Sequence, residues 1–138
     1  MSRLLASIIG LSLGAAVSIS APQVSAQPAS PSGGTWARDH GSVPVIRSVG
    51  ADGSLPGTYT NNAPGYRCAG TAFPLAGWTD GPRISHAVRW KNASLGCTSI
   101  TAWTGDIHDG RLGVEWVLTY EEDGGSNIRI GSDSYRRQ

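Results

Sequence analysis

Cysteine and histidine are scarce in this chain: two Cys and three His among 138 residues. The histidines, His40, His86 and His108, share no ligand spacing with each other or with the cysteines. No metal site is read from them. A surplus of one charge sign is missing too. Lys plus Arg number 11 and Asp plus Glu 10, and loss of Arg3 would balance them. No basic tract for nucleic acid or for an anionic membrane follows from that composition. Beyond the N-terminal region, sustained helical periodicity is absent, which excludes a helical domain. No nucleophile–base pair, paired-carboxylate site or phosphate loop stands out, so no enzyme class is indicated. The nearest constellation is Asp39, His40 and Ser42, and strand alternation separates Asp39 from His40.

What is present begins with an address. Arg3 precedes an apolar run over residues 4–17, and the small-residue pattern VSA follows at 24–26. This reads as a secretory signal peptide over 1–26, with cleavage between Ala26 and Gln27. The run is short for a bilayer span and is interrupted by Ser and Gly. Residues 27–33 form a flexible lead-in, and 34–138 one domain. The expected fate is secretion or residence in a periplasm. In an exported chain, Cys68 and Cys97 read as one disulfide. Closing a loop of about 30 residues is worth roughly 3–4 kcal/mol in the chain-entropy account. Two buried thiols are the alternative.

Turn signals recur through the domain, among them Gly41-Ser42, Asp80-Gly81, Asp109-Gly110 and Asp123-Gly124. Between them lie short segments rich in β-branched and aromatic residues. Eight strands are predicted, at 34–40, 43–49, 55–60, 71–79, 83–90, 98–107, 111–121 and 127–135. Short connections make neighbours antiparallel. The expected fold is all-β, an eight-stranded antiparallel up-and-down β-barrel, because closure removes both open edges. A two-sheet sandwich is the structural alternative.

Strand side chains alternate between two faces. Trp116 shares a face with Val114 and Leu118. Trp90 shares one with His86 and Val88. Trp103 shares one with Ser99 and Thr101. Three successive strands thus send an indole inward, and hydroxyls accompany one of them. Core filling explains the indoles. It does not explain the hydroxyls, because a buried hydroxyl without a partner is costly. Aromatic walls with a few placed polar groups describe a small-ligand pocket. On the pattern alone, pocket and core stand level. The apolar Ile100, Ala102 and Val117 face outward and suggest a subunit interface.

Six stretches, in order and with similar spacing, carry a resemblance. They are GTWARDHGS at 34–42, GSLPGTY at 53–59, VRWKN at 88–92, SITAWTG at 99–105, GVEWVLT at 113–119 and GSDSY at 131–135. Together they resemble the avidin/streptavidin family of biotin-binding barrels. The paired cysteines, with GYRC at 65–68 and FPLAG at 73–77, resemble its dimeric, rhizavidin-like branch. That resemblance implies an exported protein holding biotin non-covalently, with no cofactor, and a homodimer. It implies that Trp90, Trp103 and Trp116 wall the bicyclic ring. Ser42 and Tyr59 would donate to the ureido oxygen, and Asp133 would accept from a ureido N–H. Asn61 would accept from or orient toward the other N–H. Thr101 would contact the ring sulfur, and Ser99 the valerate carboxylate. Taken singly, Ser42, Asn61 and Asp133 are ordinary turn residues and Tyr59 an ordinary core aromatic. Only their joint arrangement points to a ligand.

Two positions depart from the family pattern. Where the family has an Asn two residues after the first-strand Trp, this chain has Arg38. It shares phase with Trp36, so it is expected to face the lumen and to pair with Asp133. Such a pair would weaken biotin, or would suit a divergent barrel that binds another small, possibly anionic, ligand. The second departure is the lack of a Trp near Gly124-Gly125-Ser126, which agrees with self-contained pockets in a dimer. A secreted barrel with a filled lumen, its Trp residues serving as core, is the third reading.

Overall fold

The computed structural model describes residues 33–38 and 41–138, so the signal peptide, most of the lead-in, Asp39 and His40 lie outside the described residues. Eight strands follow in order: β1 (Gly34–Arg38), β2 (Val43–Ile46), β3 (Gly57–Thr60), β4 (Ala72–Asp80), β5 (Arg83–Asn92), β6 (Cys97–His108), β7 (Arg111–Glu122) and β8 (Gly125–Arg137). Each pairs antiparallel with the next, and β8 returns to β1 to close the barrel. The barrel expectation is met, and the two-sheet sandwich is not formed.

Two hairpins are as tight as their sequences suggest. Asp109-Gly110 and Asp123-Gly124 take positive φ at both positions, the two-residue turn whose twist matches paired strands. The second lets β8 start at Gly125, two residues earlier than expected. In contrast, β2 stops at Ile46 and β3 starts only at Gly57. Between them the chain turns at Gly50–Gly53, and Leu55 N donates instead to Gly77 O on β4. The triplet Asn92-Ala93-Ser94 serves the β5–β6 turn: Asn92 Oδ1 accepts from Ser94 Oγ at 2.7 Å and from Leu95 N at 3.2 Å.

Burial follows the alternation. On β5, Ile84, His86, Val88 and Trp90 are buried, and the residues between them are exposed. Inward residues of neighbouring strands line up in rows. One row runs Gly77, His86, Trp103, Trp116, Gly131 from β4 to β8. The glycines at its ends permit close approach: a Cβ on Gly131 would overlap the Trp116 indole, and one on Gly77 would overlap the Ser85 carbonyl and the Cα and Cβ of His86 on β5. The next row runs Val88, Thr101, Leu118, Arg129.

The disulfide joins Cys68 and Cys97, both buried, with Cα atoms 6.3 Å apart. It ties the β3–β4 loop to the start of β6. The loops β3–β4, β5–β6 and β7–β8 lie at one end of the barrel, by the up-and-down order of the strands.

Candidate functional site

At that end a cavity of about 320 Å³ opens between Asn61, Ala63, Tyr66, Trp90, Ser99, Thr101, Leu118, Tyr120 and Arg129. Its volume is at the small end of ligand pockets, and its wall is mainly apolar and aromatic. Trp90 is the centre of that wall. Its Nε1 donates to Thr101 Oγ1 at 2.8 Å, a buried hydrogen bond across β5 and β6. Tyr59, Tyr66 and Phe73 meet its ring edge-on, with centroids 5.4, 5.9 and 5.2 Å away. One hydroxyl on the inner face is thus explained within the protein: Thr101 holds Trp90 in one orientation.

Behind Trp90 the lumen is occupied by stacked rings. Trp103 stacks on Tyr59 at 4.8 Å and on His86 at 5.0 Å. His86 is buried, and desolvation pulls its pKa down to about 4, so it is neutral. It fills space between Tyr59 and Trp103. Trp116 points inward beside Trp103 and is half-buried against Gly131.

A polar chain runs alongside this stack. Arg38 Nη1 lies 2.8 Å from Asp133 Oδ1. Tyr135 OH donates to Asp133 Oδ2 at 3.2 Å, and the Tyr59 and Tyr135 hydroxyls are 2.6 Å apart. With the Tyr135 proton committed to Asp133, Tyr59 donates to Tyr135. Burial pushes the Tyr59 pKa up to about 12, against the lowering effect of its hydrogen bond with Tyr135. Burial also raises Tyr135 strongly, with Tyr59 and Asp133 acting in the same direction. Both phenols therefore stay protonated as donors. The pairing of Arg38 with Asp133 is as the strand phase suggests. Asp133 consequently has one oxygen on a guanidinium and the other on a phenol.

The expected site residues divide into two groups. Asn61, Trp90, Ser99 and Thr101 line the cavity. Ser42 joins them by donating to Asn61 Oδ1 at 3.3 Å. Tyr59, Trp103, Trp116, Asp133 and Arg38 do not line it; the first two pack directly behind Trp90. Asn61 differs from expectation in one respect. Its Oδ1 already accepts from Ala63 N at 2.8 Å as well as from Ser42, so the group it has left to offer is its amide N–H₂. Sequence reasoning missed Tyr135, Tyr66, Tyr120 and Arg129. Tyr135 and Arg129 share strand phase with Asp133, a signal that was legible. Tyr66 reaches the cavity from the disulfide-tied loop, which has no periodicity to read.

The comparisons with known proteins agree with this architecture. A family model described as "Avidin family" matches residues 25–138. The chain is 38% identical over 105 residues to afifavidin from Afifella pfennigii, covering 73% of this chain and 65% of that protein. It is 38% identical over 87 residues to hoefavidin from Hoeflea phototrophica, covering 59% of this chain and 53% of that one. It thus spans under two thirds of the first relative and about half of the second. Among solved structures, a rhizavidin–biotin complex is similar with a TM-score of 0.69 and 31% identity, over 83% of this chain and 96% of that one.

Proposed function

The chain belongs to the avidin family, and from that premise we propose that it is an exported protein that binds biotin non-covalently and catalyses nothing. The observation that carries the reading is Trp90, pinned by Thr101 on the wall of a cavity whose other polar groups are Asn61, Ser99, Tyr66, Tyr120 and Arg129. An indole fixed by its own hydrogen bond and by the rings around it needs no further ordering on binding. The rhizavidin structure is a biotin complex, and rhizavidin shares this barrel. Nothing in the comparisons favours a ligand other than biotin.

In this reading the bicyclic ring lies against Trp90; Trp103 and Trp116, which do not themselves line the cavity, complete the wall once the ring displaces the side chains stacked behind Trp90. Thr101 meets the ring sulfur, and Ser99 meets the tail. The ureido oxygen takes hydrogen bonds from Ser42 and Tyr59, whose hydroxyl protons turn to it from Asn61 Oδ1 and from Tyr135. Asp133 accepts one ureido N–H on a lone pair that Arg38 and Tyr135 leave free, since a carboxylate offers about four such positions. Asn61 contributes its N–H₂. Competition from Arg38 for Asp133 weakens binding.

Export rests on the signal pattern over 1–26, and the family match begins at residue 25, close to the expected cleavage. The subunit arrangement proposed is a homodimer. It is supported by an outer-face row of Ala76, Ala87, Ala102, Val117 and Ile130 across β4 to β8. Ile100 and Ile128 widen that patch, and Ile128 and Ile130 are each 69% exposed in the single chain. Calorimetric titration of the mature protein with biotin tests the function. A one-to-one isotherm with quenched Trp fluorescence is expected; absence of heat and of any fluorescence change would overturn it.

A further inference from the structure

The Tyr59 and Tyr135 hydroxyls are 2.6 Å apart, and either one can be the donor. Both phenols are buried, so their hydroxyls answer to each other and to Asp133. Two arrangements of this chain differ only in the rotation of two hydroxyl hydrogens about their C–O bonds. The rotation itself moves no heavy atom, and no proton changes owner. In the first, Tyr135 donates to Asp133 Oδ2 and Tyr59 donates to Tyr135. In the second, Tyr135 donates to Tyr59, whose own hydrogen points elsewhere, and Asp133 Oδ2 is vacated. The two bonds are unequal. That between Tyr135 and Asp133 is 3.2 Å, long for a hydroxyl on a carboxylate, whereas that between the phenols is short. The second arrangement keeps the short bond and gives up the long one. Asp133 is not set adrift by the change, because Arg38 Nη1 holds Oδ1 at 2.8 Å. The short bond also tethers the hydroxyl end of Tyr59 while its ring shifts for a ligand.

Resting on the biotin reading, we propose that Tyr135 is a positioning residue that never touches the ligand and couples the two sides of its ureido group. When Tyr59 turns its hydrogen to the ureido oxygen, Tyr135 turns to Tyr59 and leaves Asp133 Oδ2 to the ureido N–H. Acceptance and donation by the ligand are then one event. In the bound arrangement Tyr59 accepts from Tyr135 while it donates to the ligand, and a hydroxyl that accepts is the stronger donor. Tyr135 therefore helps binding as long as Tyr59 is present. Without the Tyr59 hydroxyl it has no second acceptor, stays on Asp133 and competes with the ligand N–H.

Near-isosteric variants read this coupling through its sign. Calorimetric titration with biotin compares the wild type, Tyr59→Phe, Tyr135→Phe and the double variant, and thermal melts verify that each is folded. Tyr135→Phe is expected to weaken biotin about two- to fourfold where Tyr59 is present, and to tighten it about two- to fourfold in the Tyr59→Phe background. Any outcome without this reversal of sign overturns the proposal and leaves the biotin reading standing: weakening in both backgrounds marks a merely structural Tyr135, and tightening in both a mere competitor for Asp133. Should a variant fail to fold, the wild-type sequence decides, carrying at position 135 a tyrosine isotopically labelled at Cζ. Its resonance is expected to move upfield on biotin binding, as the hydroxyl hydrogen leaves a carboxylate for a neutral phenol; a stationary resonance overturns the proposal. Failure of the wild type to bind biotin overturns the biotin reading and this proposal with it.

Discussion

Arg38 Nη1 lies 2.8 Å from Asp133 Oδ1, a contact between the end of β1 and the inner face of β8 in which the Asp133 side chain is only 7% exposed and that of Arg38 28%. It decides how much of Asp133 is left for a ligand. Both carboxylate oxygens are already engaged, one by Arg38 and one by Tyr135. The polar chain is therefore complete within the protein, and ligand binding has to compete with it.

Replacing Arg38 by Asn removes the competing charge. Biotin affinity is expected to rise about tenfold, equivalent to about 1.4 kcal/mol. Stability is expected to fall by about 1–3 kcal/mol, because a largely buried carboxylate loses its ionic partner. Calorimetry and urea denaturation read the two effects separately. Unchanged affinity would remove Arg38 from the account of the site.

Thr101→Val keeps the shape of the side chain and deletes the acceptor for Trp90 Nε1. A buried indole N–H then has no partner, at a cost of about 1–3 kcal/mol. Denaturant titration should register this loss. Biotin affinity should fall with it, since the wall of the cavity is no longer held.

His86 makes stability depend on acid. Its folded pKa is lowered by burial to about 4, against an ordinary value of 6.5. Below the ordinary value the unfolded chain takes up a proton that the folded chain refuses. The contribution of His86 is therefore full above pH 6.5 and is lost as pH falls toward about 4. The loss amounts to about 3 kcal/mol over that window. Denaturant midpoints measured from pH 7 to 4 should fall accordingly, and His86→Phe should flatten the slope.

Gly131→Ala places a methyl group where the Trp116 ring lies. The indole has to move or the strand has to shift, at a cost of about 1–3 kcal/mol. A lower melting temperature and a changed Trp emission spectrum are expected. Gly124→Ala, a turn substitution with open space around it but positive φ, should lower the melting temperature without that spectral change.

The outer row makes the oligomeric state testable. Ile130→Glu puts a charge on the proposed dimer face, where burial would cost several kcal/mol. Light scattering is expected to show a dimer for the wild type and a monomer for the variant. A wild-type monomer or tetramer would refute the dimer.

Much of this was legible in the order of residues. The alternation on β5, β6 and β7 places Trp90, Trp103 and Trp116 inward, and the Asp-Gly pairs mark their hairpins where they form. The pairing of Arg38 with Asp133 follows from strand phase and from the need of a semi-buried charge for its opposite. Other features were not legible. Tyr135 shares phase with Asp133, yet its contact with Tyr59 is 76 residues distant and depends on closure of the barrel. The stacking of Tyr59 on Trp103 joins β3 to β6, which are not neighbours in the sheet. Asn61 turned its oxygen to its own loop, an outcome set by the backbone N–H of Ala63.

By itself the sequence determined the face taken by each strand residue and the position of each tight turn. Both are local consequences of the two-residue period and of which residues tolerate positive φ. Only the tertiary structure decided which inward side chains meet across the lumen, and so which expected ligand contacts line the cavity and which lie behind Trp90. Strand tilt and closure set those distances, and they are properties of the whole barrel that no single stretch of residues contains.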